Sequence, residues 1–363
     1  MMAGGTGGHV FPALAIAEAL RERGISVGWL GTQQGLESQV VPQAGIDIHY
    51  IQISGVRGKN FLSLLRAPFK VTLAIWQAIQ ILRKQRPAAV VGMGGFVTGP
   101  GGIAAWLLRI PLIIHEQNAI AGLTNRWLAR FAHQVLEAFP NTFAARYRAI
   151  HTGNPLRANI MALTSPIPRP IHDPLRILVV GGSLGAKILN ETVPKAVLQI
   201  QSDVEIWHQT GRQHFETLHA AYPTVKARVV PFIEDMAAAY SWADVVICRA
   251  GALTVSELAQ ASVASILVPY IYAVDDHQTR NAEFLASNGA AFLLPQKELT
   301  PEKLATLLDD FIHNPMRLQA MSVAAHHCAT PTTLSQIVDL CVKIAYGTTN
   351  HLNNSASIPH EHH

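Results

Sequence analysis

Residues 176–197 read RILVVGGSLGAKILNETVPKAV, and this stretch decides the predicted fold. Its apolar start is typical of a buried strand, its glycine loop at 181–186 permits a tight turn, and the segment after the loop has the pattern of a helix. The loop and helix of this unit recur at the start of the chain, where residues 4–9, GGTGGH, run into an apolar helical stretch. Two such units predict two α/β domains.

Further apolar runs follow each glycine loop and alternate with helical segments. This is the pattern of parallel sheets covered on both faces. The predicted fold class is therefore α/β, with two Rossmann-like doubly wound parallel-sheet domains and a cleft between them. The runs are ISVGWLG, IDIHYIQI, AAVVGMGG, PLIIHEQ and QVLEAF in the first half, and VEIWHQTG, ARVVPFI, DVVICRAG, SILVPY and AAFLLP in the second.

The domain boundaries follow from changes in composition. Residues 1–163 form the predicted N-terminal domain, and the proline-rich residues 164–175 form the predicted linker. Residues 176–330 form the predicted C-terminal domain. Residues 331–346 are expected to form a helix that can pack back on the N-terminal domain. Residues 347–363 are rich in Asn, His and Ser and are expected to be disordered.

The opening glycine loop lacks most of the strand that usually precedes such a loop. Only Met1, Met2 and Ala3 stand before it. A strand at this place would be central in the sheet, so we expect its truncation to leave backbone groups unpaired and to loosen the loop. Restoring upstream strand residues is expected to raise both stability and activity.

Composition argues against several classes of protein. The chain has 363 residues, of which 49% are hydrophobic and 14% charged, so buried cores are expected and extensive disorder is not. The three cysteines form no CxxC pair, which argues against a disulfide framework or a zinc site and fits a reducing cytoplasm. The net charge of +4 is mild, so nucleic acid is not an expected partner. Neither a signal peptide nor a membrane span is predicted.

Three glycine loops, at residues 4–9, 92–102 and 181–186, are candidate phosphate sites. Glycine allows a ligand to approach the backbone, and the start of the next helix offers unpaired N–H groups. A single loop of this kind could equally be a tight turn without a ligand, but three in one chain favour phosphate. None of them matches GxxxxGK[ST], and none is GxGxxG with an acidic residue about 20 positions later. No Asp-x-Asp motif is present, so neither a metal ion nor a cofactor is expected.

The stretch CRAGALTVSELAQA (248–261) predicts a second ligand-binding feature. Thr254, Ser256 and Glu257 fall on the first turns of a predicted helix. A carboxylate there can accept hydrogen bonds from the vicinal hydroxyls of a ribose. Helix capping is the alternative role for Thr254 and Glu257. The neighbouring phosphate loop at 181–186 favours the ribose interpretation.

The order of the motifs GGTGGH, GMGGFVTGPGG, HEQNAIAGLTNRWLA, GNPLR, GGSLGA, CRAGALTVSE and DDHQTRNA resembles the bacterial MurG family over residues 3–345. This family of peptidoglycan glycosyltransferases adds N-acetylglucosamine (GlcNAc) to a lipid-linked muramyl-pentapeptide. The resemblance implies a GT-B fold and an inverting hexosyltransferase. It implies transfer from UDP-GlcNAc to the 4-hydroxyl of undecaprenyl-diphosphate-linked N-acetylmuramoyl pentapeptide, in cell-wall synthesis. Cell shape and cell division would depend on this step.

The resemblance also implies roles for individual residues. His9 is the candidate general base, with phosphate binding or helix capping as the alternative, and Glu116 is a weaker candidate. The residues implied at the acceptor diphosphate are Gly5, Thr6, Gly94 and Gly95. The residues implied at UDP-GlcNAc are Thr6, Gly7, Gly8, Asn118, Arg157, Ser183, Ile233, Ala252, Leu253, Thr254, Val255, Ser256, Glu257, Gln278 and Asn281.

Three of these assignments have structural alternatives. Asn118 could stabilise a turn, Arg157 could form a structural salt bridge, and Ile233 could simply be buried. Otherwise Arg157 suits a diphosphate, and the Ile233 backbone is expected to contact uracil.

The segment around Phe61, Leu65, Phe69 and Trp76 mixes apolar side chains with cations. By itself the pattern fits an amphipathic helix facing a core. The lipid-linked acceptor favours docking on anionic lipid instead, as a peripheral protein on the cytoplasmic face of the inner membrane.

Two other functions fit parts of the pattern. A UDP-GlcNAc 2-epimerase would need neither a lipid acceptor nor a membrane surface. A non-catalytic nucleotide-sugar-binding protein would not need His9. The motifs present in both halves favour the transferase.

Overall fold

The computed structural model describes residues 1–53, 67–182, 185–218, 221–222, 225–273 and 276–347, without the side chain of Ala67. Phe61, Leu65 and Ser183 lie outside the described residues, and so does the predicted tail from residue 348 onward.

The N-terminal half alternates helices with short strands. Its strands are nearly continuous in apolar residues because helices cover both faces of the sheet. The elements are α1 (Gly7–Glu22), β1 (Gly28–Gly31), α2 (Glu37–Gln43), β2 (Asp47–Tyr50), α3 (Ala67–Gln85), β3 (Val90–Gly92), α4 (Thr98–Leu107), β4 (Leu112–Glu116), α5 (Leu123–Leu128), β5 (Gln134–Glu137), β6 (Ile150–His151) and α6 (Ala158–Met161).

The N-terminal strands form a parallel sheet with Met2 at its centre. β3, β4, β5 and β6 pair in that order, and β1 pairs with β2. Met2 bridges the two groups through Leu30 of β1 and Gly92 of β3. The Met2 N–H donates to Val91 O at 2.8 Å, and Met2 O accepts from Met93 N–H at 2.9 Å. These bonds fix the point from which the first glycine loop leaves the sheet.

The second half contains every strand that the sequence predicts there. Its elements are β7 (Leu175–Val180), α7 (Lys187–Val197), β8 (Val204–Gln209), α8 (Phe215–Leu218), β9 (Lys226–Val230), α9 (Met236–Trp242), β10 (Val245–Cys248), α10 (Ala252–Gln260), β11 (Ala264–Leu267), α11 (His277–Ser287), β12 (Ala291–Leu293), α12 (Pro301–His313), α13 (Pro315–His327) and α14 (Thr333–Tyr346). The strands form one parallel sheet in the order β12-β11-β10-β7-β8-β9. Strands β8 and β9 are added on one side of β7 and strands β10 to β12 on the other, so the strand order reverses beside β7. Open α/β sheets bind ligands at such a point.

The last helix, α14, lies on the N-terminal half of the molecule. Its buried Ile337, Val338 and Cys341 share a core with residues of α1 and β1. The Thr333 hydroxyl donates to Thr152 O at 2.6 Å, next to β6. The chain therefore crosses twice between its halves, once after β6 and once before α14.

The proline-rich segment before β7 is anchored to the C-terminal half by Arg169. The buried guanidinium donates to Ala261 O at the end of α10 and to Tyr240 O, Ser241 O and Ala243 O at the end of α9, all at 2.9–3.0 Å. A cation is favourable there because the last carbonyls of a helix lack partners and carry partial negative charge. Burial lowers the pKa of Arg169, and Asp244 opposes that shift.

Candidate active site

The first glycine loop carries a row of unpaired backbone donors. Gly5 has φ +96°, which glycine tolerates without strain, and the chain then enters α1 with Thr6 as its N-cap. The N–H groups of Thr6, Gly7 and Gly8 have no hydrogen-bond partner among the described residues. Unpaired N–H groups at a helix start bind anions, so the loop has the geometry of a phosphate site.

The second glycine loop, between β3 and α4, packs directly on the first. Gly95 has φ +82°, and a Cβ at this position would collide with the carbonyl oxygen of Gly4. Gly94 has φ +94°, and a Cβ there would lie 2.7 Å from Cδ2 of His9. The two loops therefore meet only because neither position carries a side chain. The N–H groups of Gly94 and Gly95 also have no partner among the described residues.

His9 lies where the two loops meet. Its Nδ1 is 3.3 Å from Oγ1 of Thr6, and its Nε2 faces Gly94. Burial lowers the pKa of His9, His277 lowers it further, and the carboxylate of Glu116 raises it. Because the net shift is downward, the imidazole is neutral near pH 7 and able to accept a proton.

Glu116, at the end of β4, has a different setting. Its Oε1 accepts from Asn118 N–H and Asn118 Nδ2, and its Oε2 accepts from Gly122 N–H and Asn125 Nδ2, at 2.9–3.2 Å. Four donors occupy the acceptor positions of a carboxylate. Glu116 is also buried. This geometry suits a group that shapes the loop after β4, and it favours His9 as the base.

Asn118 and Asn281 connect the two halves across the cleft. Asn281, buried in α11, accepts from Ala119 N–H at 2.8 Å and donates to Asn118 Oδ1 at 3.3 Å. It also donates to Ala250 O, just before α10. Asn281 therefore holds the loop after β4 against the loop after β10.

Helix α10 points its N-terminus into the same cleft. The N–H groups of Ala252, Leu253 and Thr254 have no partner among the described residues, so the start of this nine-residue helix can bind phosphate. Val255 is fully buried and contributes packing. Gly251, the N-cap of this helix, has an ordinary φ of −63°.

Arg157 and Glu257 form an ion pair beside α10. Arg157 Nη2 lies 3.2 Å from Glu257 Oε1, and the Tyr240 hydroxyl donates to Glu257 Oε2 at 2.9 Å. Burial raises the pKa of Glu257, while Arg157 and Tyr240 lower it. The salt-bridge alternative for Arg157 is thus the contact seen in this structure. Within the described residues, two of the four acceptor positions of the Glu257 carboxylate have no donor.

Asn154 lies where the chain crosses between the halves, and its role was missed by the sequence reasoning. Its buried Nδ2 donates to Gln117 O at 3.1 Å and to Ser256 Oγ at 3.0 Å. The signal was available in the GNPLR motif, two residues after the end of β6. Asn154 fixes Ser256 from the N-terminal side, and Ser256 in turn donates to Ala252 O.

The other described residues that the resemblance implies at UDP-GlcNAc follow strands of the C-terminal sheet, at its carboxyl edge. Gly182 and Gly185 flank the undescribed Ser183 with φ of +82° and +76°. The Ile233 side chain is buried in the core, while its backbone N–H and C=O have no partner among the described residues. Gln278 Oε1 accepts from Tyr270 N–H at 2.9 Å, and its amide NH₂ has no partner among the described residues. His277, next to Gln278, was also missed, because only the fold brings it near His9.

Glu37 is the main residue that the sequence reasoning missed. Its carboxylate, fully buried beneath the first glycine loop, accepts from Gly5 N–H at 3.0 Å. The stretch GTQQGLE directly after β1 was the available signal. Across the described residues, no group of three His, Cys, Asp or Glu side chains could hold a metal ion.

Two family models match the chain in sequence order. The glycosyltransferase family 28 N-terminal domain matches residues 1–137, and the family 28 C-terminal domain matches residues 176–337. These regions correspond to the two sheets and to the two sides of the cleft.

Curated relatives are similar along nearly the whole chain. A protein of Stutzerimonas stutzeri (strain A1501) is 50% identical over 351 residues, covering 96% of this chain and 98% of the relative. A protein of Marinobacter nauticus is 52% identical over 353 residues, covering 96% and 97%. Both are named UDP-N-acetylglucosamine--N-acetylmuramyl-(pentapeptide) pyrophosphoryl-undecaprenol N-acetylglucosamine transferase.

Solved structures agree with these relatives. The crystal structure of Acinetobacter baumannii MurG superposes with a TM-score of 0.83 at 46% identity, covering 94% of this chain and 98% of that one. A UDP-N-acetylglucosamine 2-epimerase from Listeria monocytogenes, itself described as putative, has a TM-score of 0.66 at 14% identity, covering 94% and 95%. The second likeness shows the fold alone. The predicted GT-B fold and the class of hexosyltransferase are confirmed, and the chain belongs to glycosyltransferase family 28.

Proposed function

We propose that the chain transfers GlcNAc from UDP-GlcNAc to the 4-hydroxyl of a lipid-linked N-acetylmuramoyl pentapeptide. One observation carries the proposal: two sets of unpaired helix-start N–H groups, at α1 and at α10, belong to the two halves that line one cleft, and His9 of α1 is near enough to His277 of α11 to feel its charge. Two diphosphate substrates need two such sites. The names of relatives that share half of the residues point to the same pair of substrates.

The donor occupies the C-terminal side. The start of α10 and the loop at 181–186 hold the diphosphate of UDP, and Glu257 accepts the ribose hydroxyls. Arg157, paired with Glu257 beside α10, is the candidate cation for this diphosphate. The free backbone groups of Ile233 suit the edge of uracil. Gln278 and Asn118 are the candidate contacts of the sugar.

The acceptor occupies the N-terminal side. The N–H groups of Thr6, Gly7 and Gly8, together with those of Gly94 and Gly95, bind its diphosphate. If the His9 Nδ1 proton is donated to Thr6 Oγ1, the Nε2 lone pair is free. The acceptor 4-oxygen attacks C1, its proton passes to Nε2, and the C1–oxygen bond to UDP breaks with inversion. Helix-start N–H groups stabilise the charge that develops on UDP.

The epimerase alternative receives no comparable support. Structures of such enzymes share only 11–14% of residues with this chain and therefore support only the fold. Incubation with UDP-GlcNAc alone, followed by analysis for the epimer, separates the two activities.

A transfer assay tests the proposal. Wild-type protein is expected to move labelled GlcNAc to a synthetic lipid-linked muramyl acceptor, and His9→Ala should lower kcat by roughly 10²- to 10⁴-fold. His133→Ala, an exposed histidine of the same half, is the matched control and should retain full activity. No transfer by folded wild-type protein would refute the proposed function.

We further propose that the protein docks on the cytoplasmic face of the inner membrane through α3. Phe69, Leu73 and Trp76 recur at helical spacing on one face and are 81%, 43% and 57% exposed. The cations of α3 and the turn after it, Lys70, Arg83, Lys84 and Arg86, are exposed as well, which suits anionic lipid. None of the described helices is long and apolar enough to cross a membrane.

The position of α3 connects this surface to the acceptor site. A helix that precedes a parallel strand begins at the carboxyl edge of the sheet, so Phe69 in the first turn lies on the side of the glycine loops. Phe96, beside Gly95, is also exposed. A lipid diphosphate held at these loops could therefore keep its hydrocarbon chain in the membrane.

Sedimentation with vesicles tests the surface. The triple change of Phe69, Leu73 and Trp76 to Ser should lower binding to vesicles that contain anionic lipid by at least tenfold, because most of the exposed apolar area of α3 is removed. Met316→Ser changes an equally exposed apolar residue of the C-terminal half and is the control. Unchanged binding by a folded triple variant would contradict membrane docking through α3.

A further inference from the structure

Glu37 carries a buried carboxylate whose hydrogen-bond partners among the described residues are all neutral N–H and O–H groups. It is 0% exposed at the start of α2. Its Oε2 accepts from Gly5 N–H at 3.0 Å, and its Oε1 accepts from Thr32 N–H at 2.9 Å and from the Thr32 hydroxyl at 2.8 Å. The side chain therefore ties the first glycine loop to the turn after β1.

Three glycines enclose this carboxylate. A Cβ on Gly4 would lie 2.7 Å from Glu37 Oε1, and a Cβ on Gly31 would lie 2.8 Å from Cγ. A Cβ on Gly35 would overlap the carboxylate itself. The carboxylate can approach the loop backbone this closely only because none of the three positions carries a side chain.

The bond to Gly5 fixes the part of the loop that the sheet does not hold. The sheet holds Met2 through backbone hydrogen bonds, and Trp29 Nε1 donates to Ala3 O at 3.0 Å. After Ala3, the Gly5 N–H is the next donor of the loop with a partner, and the unpaired N–H groups of the loop follow it. Glu37 therefore determines where that row of donors points.

The same contact sets the spacing between the two glycine loops. Gly4 lies between the Glu37 carboxylate on one side and Gly95 on the other. His9, two residues into α1, packs over Gly94. A shift of Gly4 and Gly5 would change both the phosphate site and the place of the imidazole.

We propose that Glu37 is a positioning residue for the acceptor site, which rests on the function proposed above. It aims the helix-start N–H groups at the acceptor diphosphate and holds His9 over the second loop, without contacting substrate. Most of the donor site, at α10, Ile233 and Gln278, lies on the other half of the molecule and has no hydrogen bond to Glu37 among the described residues. Thr6, Gly7 and Gly8 are the part of the donor site that the first glycine loop supplies. Loss of Glu37 therefore harms the acceptor more than the donor.

Glu37→Gln is the informative variant because it keeps the volume of the side chain but replaces one of the two carboxylate oxygens that accept hydrogen bonds. A glutamine has one oxygen and one NH₂, so one of its ends must face an N–H or O–H donor. We expect kcat/KM for the acceptor to fall roughly 10- to 100-fold, since small misplacements of catalytic groups have effects of this size. KM for UDP-GlcNAc should stay within about twofold. Glu22→Gln, the same change at an exposed position of α1, is the control.

Gly35→Ala and Thr32→Val disturb the hydrogen bonds of the Glu37 carboxylate without changing Glu37 itself. The alanine displaces the carboxylate while its charge remains, and should reproduce the acceptor-specific loss. Thr32→Val removes only the hydroxyl donor to Glu37, so we expect a smaller fall of kcat/KM for the acceptor. Because this change is milder, it tests the contact even if Glu37→Gln fails to fold. Constants within twofold of wild type for all variants, or donor and acceptor KM rising together, would overturn the proposal.

Hydrogen exchange gives a readout that does not need activity. In Glu37→Gln, the hydrogen-bonded amides of Gly5 and His9 should exchange faster, while peptides from residues 225–273 keep their wild-type rates. If wild-type protein shows no transfer, the proposed function fails, and this exchange pattern alone decides the role of Glu37. Unchanged exchange over residues 3–9 would overturn the positioning role whatever the kinetics show.

Discussion

His9 and Glu116 lie in the same cleft, but their surroundings differ. Glu116 accepts four hydrogen bonds, so donors of its own half stabilise and orient its carboxylate. The His9 side chain has one partner at hydrogen-bond distance within the described part of the chain, Thr6, and burial lowers its pKa. Of the two groups, only His9 combines a free acceptor atom with access to the cleft.

The lowered pKa of His9 predicts the pH dependence of turnover. A lowered pKa means that the neutral base persists to lower pH, so kcat/KM should be level near pH 7 and fall only below pH 6.5. His277, when charged, pushes the pKa of His9 down, so His277→Gln should move the acid limb to higher pH. Initial rates at constant ionic strength from pH 5 to 8 measure this. An acid limb at or above 6.5 in wild-type protein would contradict His9 as a buried base.

The role of Arg157 also depends on the residues that the fold places beside it. The sequence supports both a diphosphate contact and a salt bridge, and the tertiary structure pairs it with Glu257. Because Glu257 is also the expected ribose contact, the two interpretations need not exclude each other. In a complex with UDP, the diphosphate and Glu257 would both attract the Arg157 guanidinium. This competition follows from the tertiary structure and is not visible in the spacing of residues along the chain.

The glycine loops work as a pair of elements. Each loop leaves the carboxyl edge of the N-terminal sheet and opens a helix, and their backbones touch at Gly4 and Gly95. Gly94 and Gly95 both have positive φ, so the backbone of the second loop by itself favours glycine there. The contact with the first loop adds a second reason, because a Cβ at either position would meet His9 or the Gly4 carbonyl.

Replacing Gly95 by Ala tests the contact between the loops. A positive φ by itself costs alanine about 1 kcal/mol, which Gly289→Ala measures, because φ is +75° there and no atom lies near a Cβ. At Gly95 the Cβ also meets the Gly4 carbonyl, so we expect about 1–3 kcal/mol of further loss of stability. Urea unfolding of both variants measures the difference. Equal losses in the two variants would mean that the loops separate freely.

At the scale of the whole molecule, contacts at the floor of the cleft join the halves. Phe139 packs edge-to-face on Phe284 of α11 with ring centroids 5.1 Å apart. Asn281 and Asn154 add polar bonds close by. Helix α14 then returns to α1, where Arg23 and Asp339 form a salt bridge. These contacts place His9 near α11, which belongs to the other half.

Two buried histidines predict how the stability of the molecule depends on pH. Burial lowers the pKa of His115 to about 4 and that of His208 to about 3. The unfolded chain binds protons at higher pH, so stability is complete above pH 6.5 and falls as the pH falls towards 4. The pKa shift of His115 corresponds to a loss on the order of 3 kcal/mol by pH 4.

Urea unfolding at several pH values tests this stability prediction. His115→Gln should be less stable than wild type at pH 7 but show a flatter fall below pH 6.5. His133→Gln, at an exposed position, should keep the wild-type slope. A fall that is equally steep in all three proteins would assign the acid sensitivity to other groups.

The sequence by itself determined the two parallel sheets, the family and the location of the glycine loops. These features depend on local patterns, namely apolar runs bounded by glycine, and such patterns can be recognised from the order of residues alone. Strand β6 was missed because two residues are too short for a pattern. The tertiary structure alone decided that Glu37 lies beneath the first loop, that His277 faces His9 and that four donors hold Glu116. Glu37 and Gly5 are brought together by packing within the N-terminal half, and His9 and His277 by packing of the two halves. The donors to Glu116 are near it in the chain, but only the turn after β4 directs them at its carboxylate.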